Sequence, residues 1–140
     1  NEPSHHILYF YTMADQPWKT ADRVREVLQT LYTTNSDGLS GNEDVGQMSS
    51  WYILSALGFY EVEPASGRYW FGSPIIDKAE IQVAEGTFSI TTENNSAENR
   101  YIQSITLNGR PYTKGYIEHS DIAAGGELVI KMGSEQTLWY

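Results

Sequence analysis

Apolar residues recur at helical spacing in the first part of the chain. They define one face in each of two stretches, formed by Ile7, Phe10, Tyr11 and Ala14 and then by Val24, Val27, Leu28 and Leu31. A short polar connection at 15–19 separates the stretches, and Thr20 offers an N-cap oxygen to the second helix. A connection of this length predicts an antiparallel helical hairpin.

A third helix is predicted over about 45–57, and Gly58 is suited to end it in the left-handed conformation. Its apolar residues face all round the axis: Met48, Trp51, Tyr52, Ile53, Leu54 and Leu57. Such a helix is expected to lie inside a larger helical assembly, with Trp51 in the core. Three helices of this kind cannot bury one another completely.

After Gly67 the apolar pattern changes to a period of two. It predicts strands at 69–71, 79–83, 87–92, 101–107 and 127–132. Asn108 and Gly109 form a type I′ hairpin signal. The chain is therefore expected to be α+β, with a helical segment at 1–63 and an antiparallel, sandwich-like β-rich segment at 64–140.

Composition narrows the classes of function. The chain has 140 residues, 40% of them hydrophobic, which is enough for one packed domain. A net charge of −9 without a basic cluster disfavours nucleic acid and anionic membranes as partners. The longest apolar run, at 48–60, is too short to span a bilayer. The absence of Cys excludes a thiolate nucleophile and Cys-ligated metals. The start of the chain is neither a signal peptide nor Met, so we expect a processed chain or a fragment.

The densest polar cluster lies at 37–47, where Asn42, Glu43 and Asp44 reach the start of the third helix together. A carboxylate at a helix N-terminus is held in its charged form, so Asp44 suits a general base or a cation ligand. The alternative is that Asn42 or Asp44 only caps the helix while Glu43 is solvated. The spacing does not choose between them.

A second cluster opens the chain with Asn1, Glu2, His5 and His6. Adjacent histidines on a helix point about 100° apart, so a shared zinc ion is disfavoured. The oxygens of Asn1 and Glu2 fit a hard cation such as calcium. The alternative is structural, with a helix that starts at Pro3 and is capped by the next residue. Half-exposed tryptophans offer faces for sugar stacking, although most tryptophans at regular spacing are core residues.

Five motifs in order resemble a known family. They are Asn-Glu-Pro-Ser-His-His at 1–6, Gln-Pro-Trp-Lys-Thr at 16–20, Gly-Asn-Glu-Asp-Val-Gly-Gln-Met-Ser at 41–49, Ser-Ala-Leu-Gly-Phe-Tyr at 55–60 and Gly-Ser-Pro at 72–74. Together they resemble the C-terminal end of glycoside hydrolase family 92, the calcium-dependent exo-α-mannosidases of gut and soil bacteria. The likeness runs from residue 1 to about 114. It implies that the helices end an (α/α)6 toroid, and that the rest of the toroid and an N-terminal β-sandwich lie upstream.

The resemblance also implies an inverting mechanism that removes terminal α-linked mannose, in α-1,2 linkage, from substrates such as N-glycans. It makes Asp44 the general base and places Asn42, an Asp in some members, where it orients water or sugar. Asn1 and Glu2 resemble calcium ligands, and Glu2, His5 and Glu43 resemble substrate-binding residues. The family's general acid lies upstream, so the fragment alone is expected to be inactive. A periplasmic or secreted location is implied.

A different hypothesis is a non-catalytic carbohydrate-binding or structural β-sandwich module that docks through its helical hairpin. The loop at 41–44 argues against it, because a structural sheet has no need of such a loop on a buried helix. In either case the exposed apolar helix faces are expected to allow a homodimer.

Overall fold

The structure, a computed structural model, describes residues 2–140. Its helices are α1 (Phe10–Met13), α2 (Pro17–Thr30), α3 (Gln47–Leu57) and α4 (His119–Ala123), and two 3-10 turns, Glu2–Ser4 and Ile7–Tyr9, precede α1. The strands are β1 (Phe59–Glu61), β2 (Arg68–Phe71), β3 (Lys78–Val83), β4 (Gly86–Glu93), β5 (Tyr101–Leu107), β6 (Arg110–Pro111), β7 (Tyr116–Glu118) and β8 (Gly126–Gly133). The predicted α+β class is confirmed.

A three-stranded antiparallel sheet, in the order β1-β2-β7, lies between two hydrophobic cores. Phe59 and Phe71 pack into the core of the larger sheet, whereas Tyr60 and Trp70 pack against the core of the helices. Alternate residues of a strand point to opposite faces, so β1 and β2 each contribute to both cores. This sheet also spans the expected boundary at residues 63 and 64, and the two-segment division stays a prediction.

The larger sheet has five strands in the order β3-β4-β8-β5-β6. Its pairs are antiparallel except β4 with β8, which run parallel. The sheet is antiparallel as expected apart from this one pair, where the expectation is wrong. The alternation of apolar residues identifies strands but does not tell which distant strand lies beside β4.

The helices begin at residues other than the predicted ones. The first predicted helix begins as a 3-10 turn of three residues, Ile7–Tyr9, and continues as the four residues of α1. The second begins at Pro17 after Gln16, so Thr20 is a buried residue inside α2 and not its N-cap. The third begins at Gln47 and ends as predicted at Gly58, which has φ 105°. None of the helices in residues 2–140 has the length and apolar character needed to cross a membrane.

Candidate functional site

Two short turns of backbone meet beside the start of α3. In one turn, the N–H of His5 donates to the carbonyl of Glu2 at 3.4 Å, and in the other the N–H of Gln47 donates to the carbonyl of Asp44 at 3.2 Å. The turns face each other through two pairs of side chains, Glu2 with Asp44 and His5 with Gln47. Residues far apart in the sequence thus form one polar site.

The carboxyl groups of Glu2 and Asp44 lie within hydrogen-bond reach of each other. This contact raises the pKa of Asp44 above its usual range, with smaller contributions from burial and from repulsion by the Glu2 charge. Glu2 Oε2 is inaccessible to solvent, and no N–H or O–H of residues 2–140 donates to it. Two ionised carboxylates side by side repel each other, and a cation bound beside them would relieve that repulsion.

The surroundings of Asp44 differ from the expected ones. α3 begins only at Gln47, and the Asp44 carboxyl faces Glu2. The expectation that the helix N-terminus holds Asp44 in its charged form is therefore wrong, because the neighbouring carboxyl dominates its pKa. Its role as general base stays a prediction.

The backbone at Asp44 and Val45 is held in an uncommon conformation. The φ angles are 50° and 57°, and the Val45 side chain is fully exposed. The left-handed region is an outlier for a β-branched residue. Such conformations cluster at functional sites and persist only where surrounding contacts impose them. The shape of this loop is therefore set by its contacts.

Glu43 anchors the loop to α3. Its Oε1 accepts a hydrogen bond from the N–H of Ser49 at 3.2 Å, and its carbonyl accepts one from Met48 at 3.2 Å. The alternative in which Asn42 or Asp44 caps the helix and Glu43 is solvated is wrong, because Glu43 binds the first turn. Asn42 is exposed on the same loop.

His5 is buried and held on three sides. Gln47 Nε2 lies 3.2 Å from its Nδ1, its ring stacks on Trp51 at 5.2 Å, and Trp51 Nε1 donates to its carbonyl at 3.0 Å. The same Gln47 Nε2 donates to the hydroxyl of Tyr60 at 3.0 Å. Burial lowers the pKa of His5 to about 4. The ring is therefore neutral at neutral pH, and with Nδ1 accepting from the amide its proton lies on Nε2.

The remaining residues of the N-terminal cluster have no described part in the site. Asn1 lies outside the described residues, so its expected part in a calcium site stays a prediction. Pro3 lies in the first 3-10 turn and not at the start of an α-helix. His6 is half-buried, with its ring edge-on to Phe10 at 5.3 Å. Within residues 2–140, no group of three or more His, Asp or Glu side chains is arranged to hold a metal ion.

The tryptophans lie mainly in the cores. Trp51 is fully buried, as expected. Trp70 and Trp139 are half-buried and pack against the two cores, and Trp18 is half-buried on α2. A sugar-stacking role for these side chains stays a prediction.

An apolar groove lies on the other side of α3. It has a volume of about 420 Å³ and is lined by Tyr32, Thr33, Thr34, Leu39, Ser49, Tyr52 and Ile53. Ile53 is 58% exposed, which agrees with the expectation that three such helices cannot bury one another. The homodimer stays a prediction.

Sequence reasoning did not find the contacts that hold the site together. Gln47 was part of a recognised motif but had no role, and Tyr60 had none either. The available signal was spacing, because Gln47 follows Asp44 by three residues and such residues are neighbours on one turn. The contact with Tyr60 left no signal in the sequence.

A family model described as the glycosyl hydrolase family 92 catalytic domain matches residues 1–134. The chain belongs to this family. The resemblance found from the motifs is thereby confirmed, and the region corresponds to the C-terminal portion of the family's fold.

Relatives and solved structures of the family match almost the whole chain. A protein of Arthroderma benhamiae, described as an uncharacterized secreted glycosidase, is 30% identical over 143 residues, which cover 99% of this chain and 18% of that protein. A family GH92 α-mannosidase of Bacteroides thetaiotaomicron in complex with mannoimidazole is 36% identical, with a TM-score of 0.92 over 99% of this chain and 18% of that one. An inverting mannosidase of B. thetaiotaomicron VPI-5482 is 40% identical, with a TM-score of 0.87 over 96% of this chain and 18% of that one. The chain thus spans about a fifth of the length of these relatives.

Proposed function

We propose that the chain is part of a longer glycoside hydrolase, the parent protein, which removes terminal α-linked mannose from glycans with inversion at the anomeric carbon. One solved relative is described as an α-mannosidase and another as an inverting mannosidase. In this proposal Asp44 is the general base. The observation that carries the proposal is the contact between the carboxyl group of Glu2, in the first 3-10 turn, and that of Asp44, on a loop with a strained backbone.

The geometry of the pair assigns unequal roles to its members. An inverting glycosidase keeps its acid and its base about 6.5–9.5 Å apart, because a water molecule must fit beside the sugar. Glu2 and Asp44 are in contact, so Glu2 is too close to be the acid that works with Asp44. In this proposal the general acid comes from the part of the parent protein outside these residues, as the resemblance to the family implies.

Asp44 would remove a proton from the attacking water through a carboxylate oxygen, and for this it must be ionised. Glu2 opposes this ionisation, because it raises the pKa of Asp44. Positive charge near the pair would reverse this effect. Asn42, an exposed amide on the same loop, can orient the water or a sugar hydroxyl but cannot take its proton.

The donor chemistry fits calcium in part. Glu2 Oε2 is a buried carboxylate oxygen without a donor in residues 2–140, and Asp44 adds further oxygens beside it. Calcium takes six to eight oxygen ligands, so other ligands must come from Asn1, from substrate hydroxyls or from elsewhere. Calcium bound there would neutralise the carboxylates and hold two vicinal hydroxyls of the mannose.

His5 and Glu43 would act at the edge of the sugar. His5 is a neutral ring with its proton on Nε2, so it can donate one hydrogen bond to a hydroxyl. The Glu43 carboxyl already accepts from Ser49, and its second oxygen can accept from a hydroxyl. The substrate class is an α-mannoside glycan, with α-1,2 linkage as the first choice. A secreted or periplasmic location is supported by the relative described as secreted.

The test compares the wild-type parent protein with Asp44→Asn on an α-1,2-linked mannobiose, with and without a calcium chelator. Asp44→Asn keeps the shape of the side chain but cannot accept the proton, so we expect kcat to fall about a thousandfold with KM largely kept. The first sugar released should be the β-anomer in a proton NMR time course. Asp37→Asn, on the same loop and exposed, is the matched control and should behave as wild type.

Three results would count against the proposal. An active Asp44→Asn would reduce Asp44 to a structural residue of the loop. Initial release of the α-anomer would exclude inversion. A parent protein that binds mannosides without hydrolysing any would favour the carbohydrate-binding module.

A further inference from the structure

The Glu2 and Asp44 carboxyl groups lie on two separate segments of the chain, so contacts between these segments decide how the two groups are placed. The loop that carries Asp44 is exposed and has a strained backbone, so the conformational preference of the loop itself does not hold it in place. Some other contact must keep the two segments together.

Gln47 makes that contact through its backbone on one side and its side chain on the other. Its backbone N–H holds the carbonyl of Asp44 at 3.2 Å, which joins it to one turn. Its side-chain Nε2 reaches His5 on the other turn at 3.2 Å and Tyr60 on β1 at 3.0 Å. Gln47 therefore connects both turns of the site to the three-stranded sheet.

The partners of Gln47 are themselves fixed. His5 is only 6% exposed and is held by the stacked Trp51, whose ring N–H donates to the His5 carbonyl. Tyr60 pairs with Trp70 across β1 and β2 and packs beside Tyr9 at 5.5 Å. An amide bonded to two immobile groups has little freedom, so its own position is well defined.

We propose that Gln47 is a positioning residue that holds the Glu2 and Asp44 carboxyl groups together by linking their two turns to Tyr60. It does not touch the substrate. This inference rests on the proposed function for its kinetic consequence, but the spacing of the carboxyl groups can be measured without activity.

The kinetic test uses the parent protein with Gln47→Leu, which keeps much of the side-chain volume and removes both hydrogen bonds. We expect kcat to fall about 10- to 100-fold, as for other residues that orient catalytic groups, with KM changed less than about threefold. Gln29→Leu on the exposed face of α2 is the matched control and should keep wild-type kinetics. Loss of folding alone would lower the active fraction and leave kcat per active site unchanged.

Tyr60→Phe gives a second, milder test. It removes one partner of Gln47 and leaves the contact with His5, so we expect a loss in kcat of about threefold to tenfold. The double variant should lose no more than Gln47→Leu alone, because the two residues act through one contact. A fall in kcat of the double variant equal to the product of the two single-variant falls would overturn the inference. If Gln47→Leu does not fold, the kcat of Tyr60→Phe tests the inference about Gln47 instead. A wild-type kcat in Tyr60→Phe would then overturn the inference.

A crystal structure of the Gln47→Leu parent protein tests the positioning itself. We expect the Glu2 and Asp44 carboxyl groups to lie beyond hydrogen-bond distance in the variant and in contact in wild type. An unchanged pair would overturn the inference even if activity fell. A wild-type parent protein without mannosidase activity would instead refute the proposed function, and the crystal structures would still decide on Gln47.

Discussion

The Nε atom of Arg25 donates a hydrogen bond to the hydroxyl of Ser73 at 2.9 Å, and both residues are buried. The same guanidinium donates to the carbonyls of Pro74 and Ser96 and to Oδ1 of Asn95. All four acceptors are neutral. Burial, with a smaller effect of Arg100, lowers the pKa of Arg25 to about 10, so the side chain stays charged at neutral pH. One side chain thus ties α2 to two loops of the β-rich part.

Replacing Arg25 by Met should destabilise the protein by about 2–4 kcal/mol, because buried acceptors lose their donor. Calorimetric unfolding of the parent protein measures this change. Arg23→Met on the same helix is the control. Arg23 is exposed and pairs with Glu26 at 2.7 Å, so its loss should leave the stability close to that of the wild type. Equal effects of the two changes would contradict the role given to Arg25.

Thr20 should be sensitive to loss of its hydroxyl. Its Oγ1 accepts from the N–H of Thr12 at 2.9 Å and donates to the carbonyl of Leu8 at 3.0 Å. Thr20→Val leaves the buried N–H without a partner, with an expected cost of about 1–3 kcal/mol. Thermal unfolding measures this cost against Thr30→Val, where the exposed hydroxyl only bonds back to its own helix and little change is expected. A small loss of stability in Thr20→Val would show that water or a rearrangement provides another acceptor for the N–H of Thr12.

His5 should make stability depend on pH below neutrality. Burial lowers its pKa from 6.5 to about 4 in the folded protein, so the unfolded chain takes up the proton first as the pH falls. The stability that comes from a neutral His5 is complete above pH 6.5 and is lost progressively toward pH 4. Melting temperatures measured over this range should therefore fall less steeply in His5→Gln than in wild type. The control is His119→Gln on α4, because His119 is not among the groups that lower the pKa of His5.

Gly58 should resist substitution for two physical reasons. Its φ is 105°, and an added Cβ would lie 3.1 Å from atoms of Pro74. Gly58→Ala should therefore cost more than the roughly 1–2 kcal/mol of the left-handed conformation alone. Gly109→Ala isolates that conformational cost, because φ is 75° and a Cβ added there would meet no atom within 4 Å beyond its chain neighbours. Comparison of the two melting temperatures tests this, and equal losses would mean that Pro74 moves aside.

The sequence by itself predicted most of the local structure. Period-two alternation identified the strands that match β2, β3, β4, β5 and β8, because half-buried strands alternate apolar and polar residues. Gly58 and the Asn108 and Gly109 pair were predicted correctly because only a few residues tolerate positive φ, which both turn residues have. The five ordered motifs were enough to identify the family.

Only the tertiary structure decided which distant residues meet. β4 runs parallel to β8, Arg25 finds its acceptors beyond β2 and β4, and Gln47 reaches His5 and Tyr60. None of these contacts leaves a periodic signal, because hydrophobic periodicity reports which face of an element is buried and not which element covers it. The pKa of Asp44 shows the consequence for function. Helix position alone suggested a charged group, whereas contact with the Glu2 carboxyl raises that pKa.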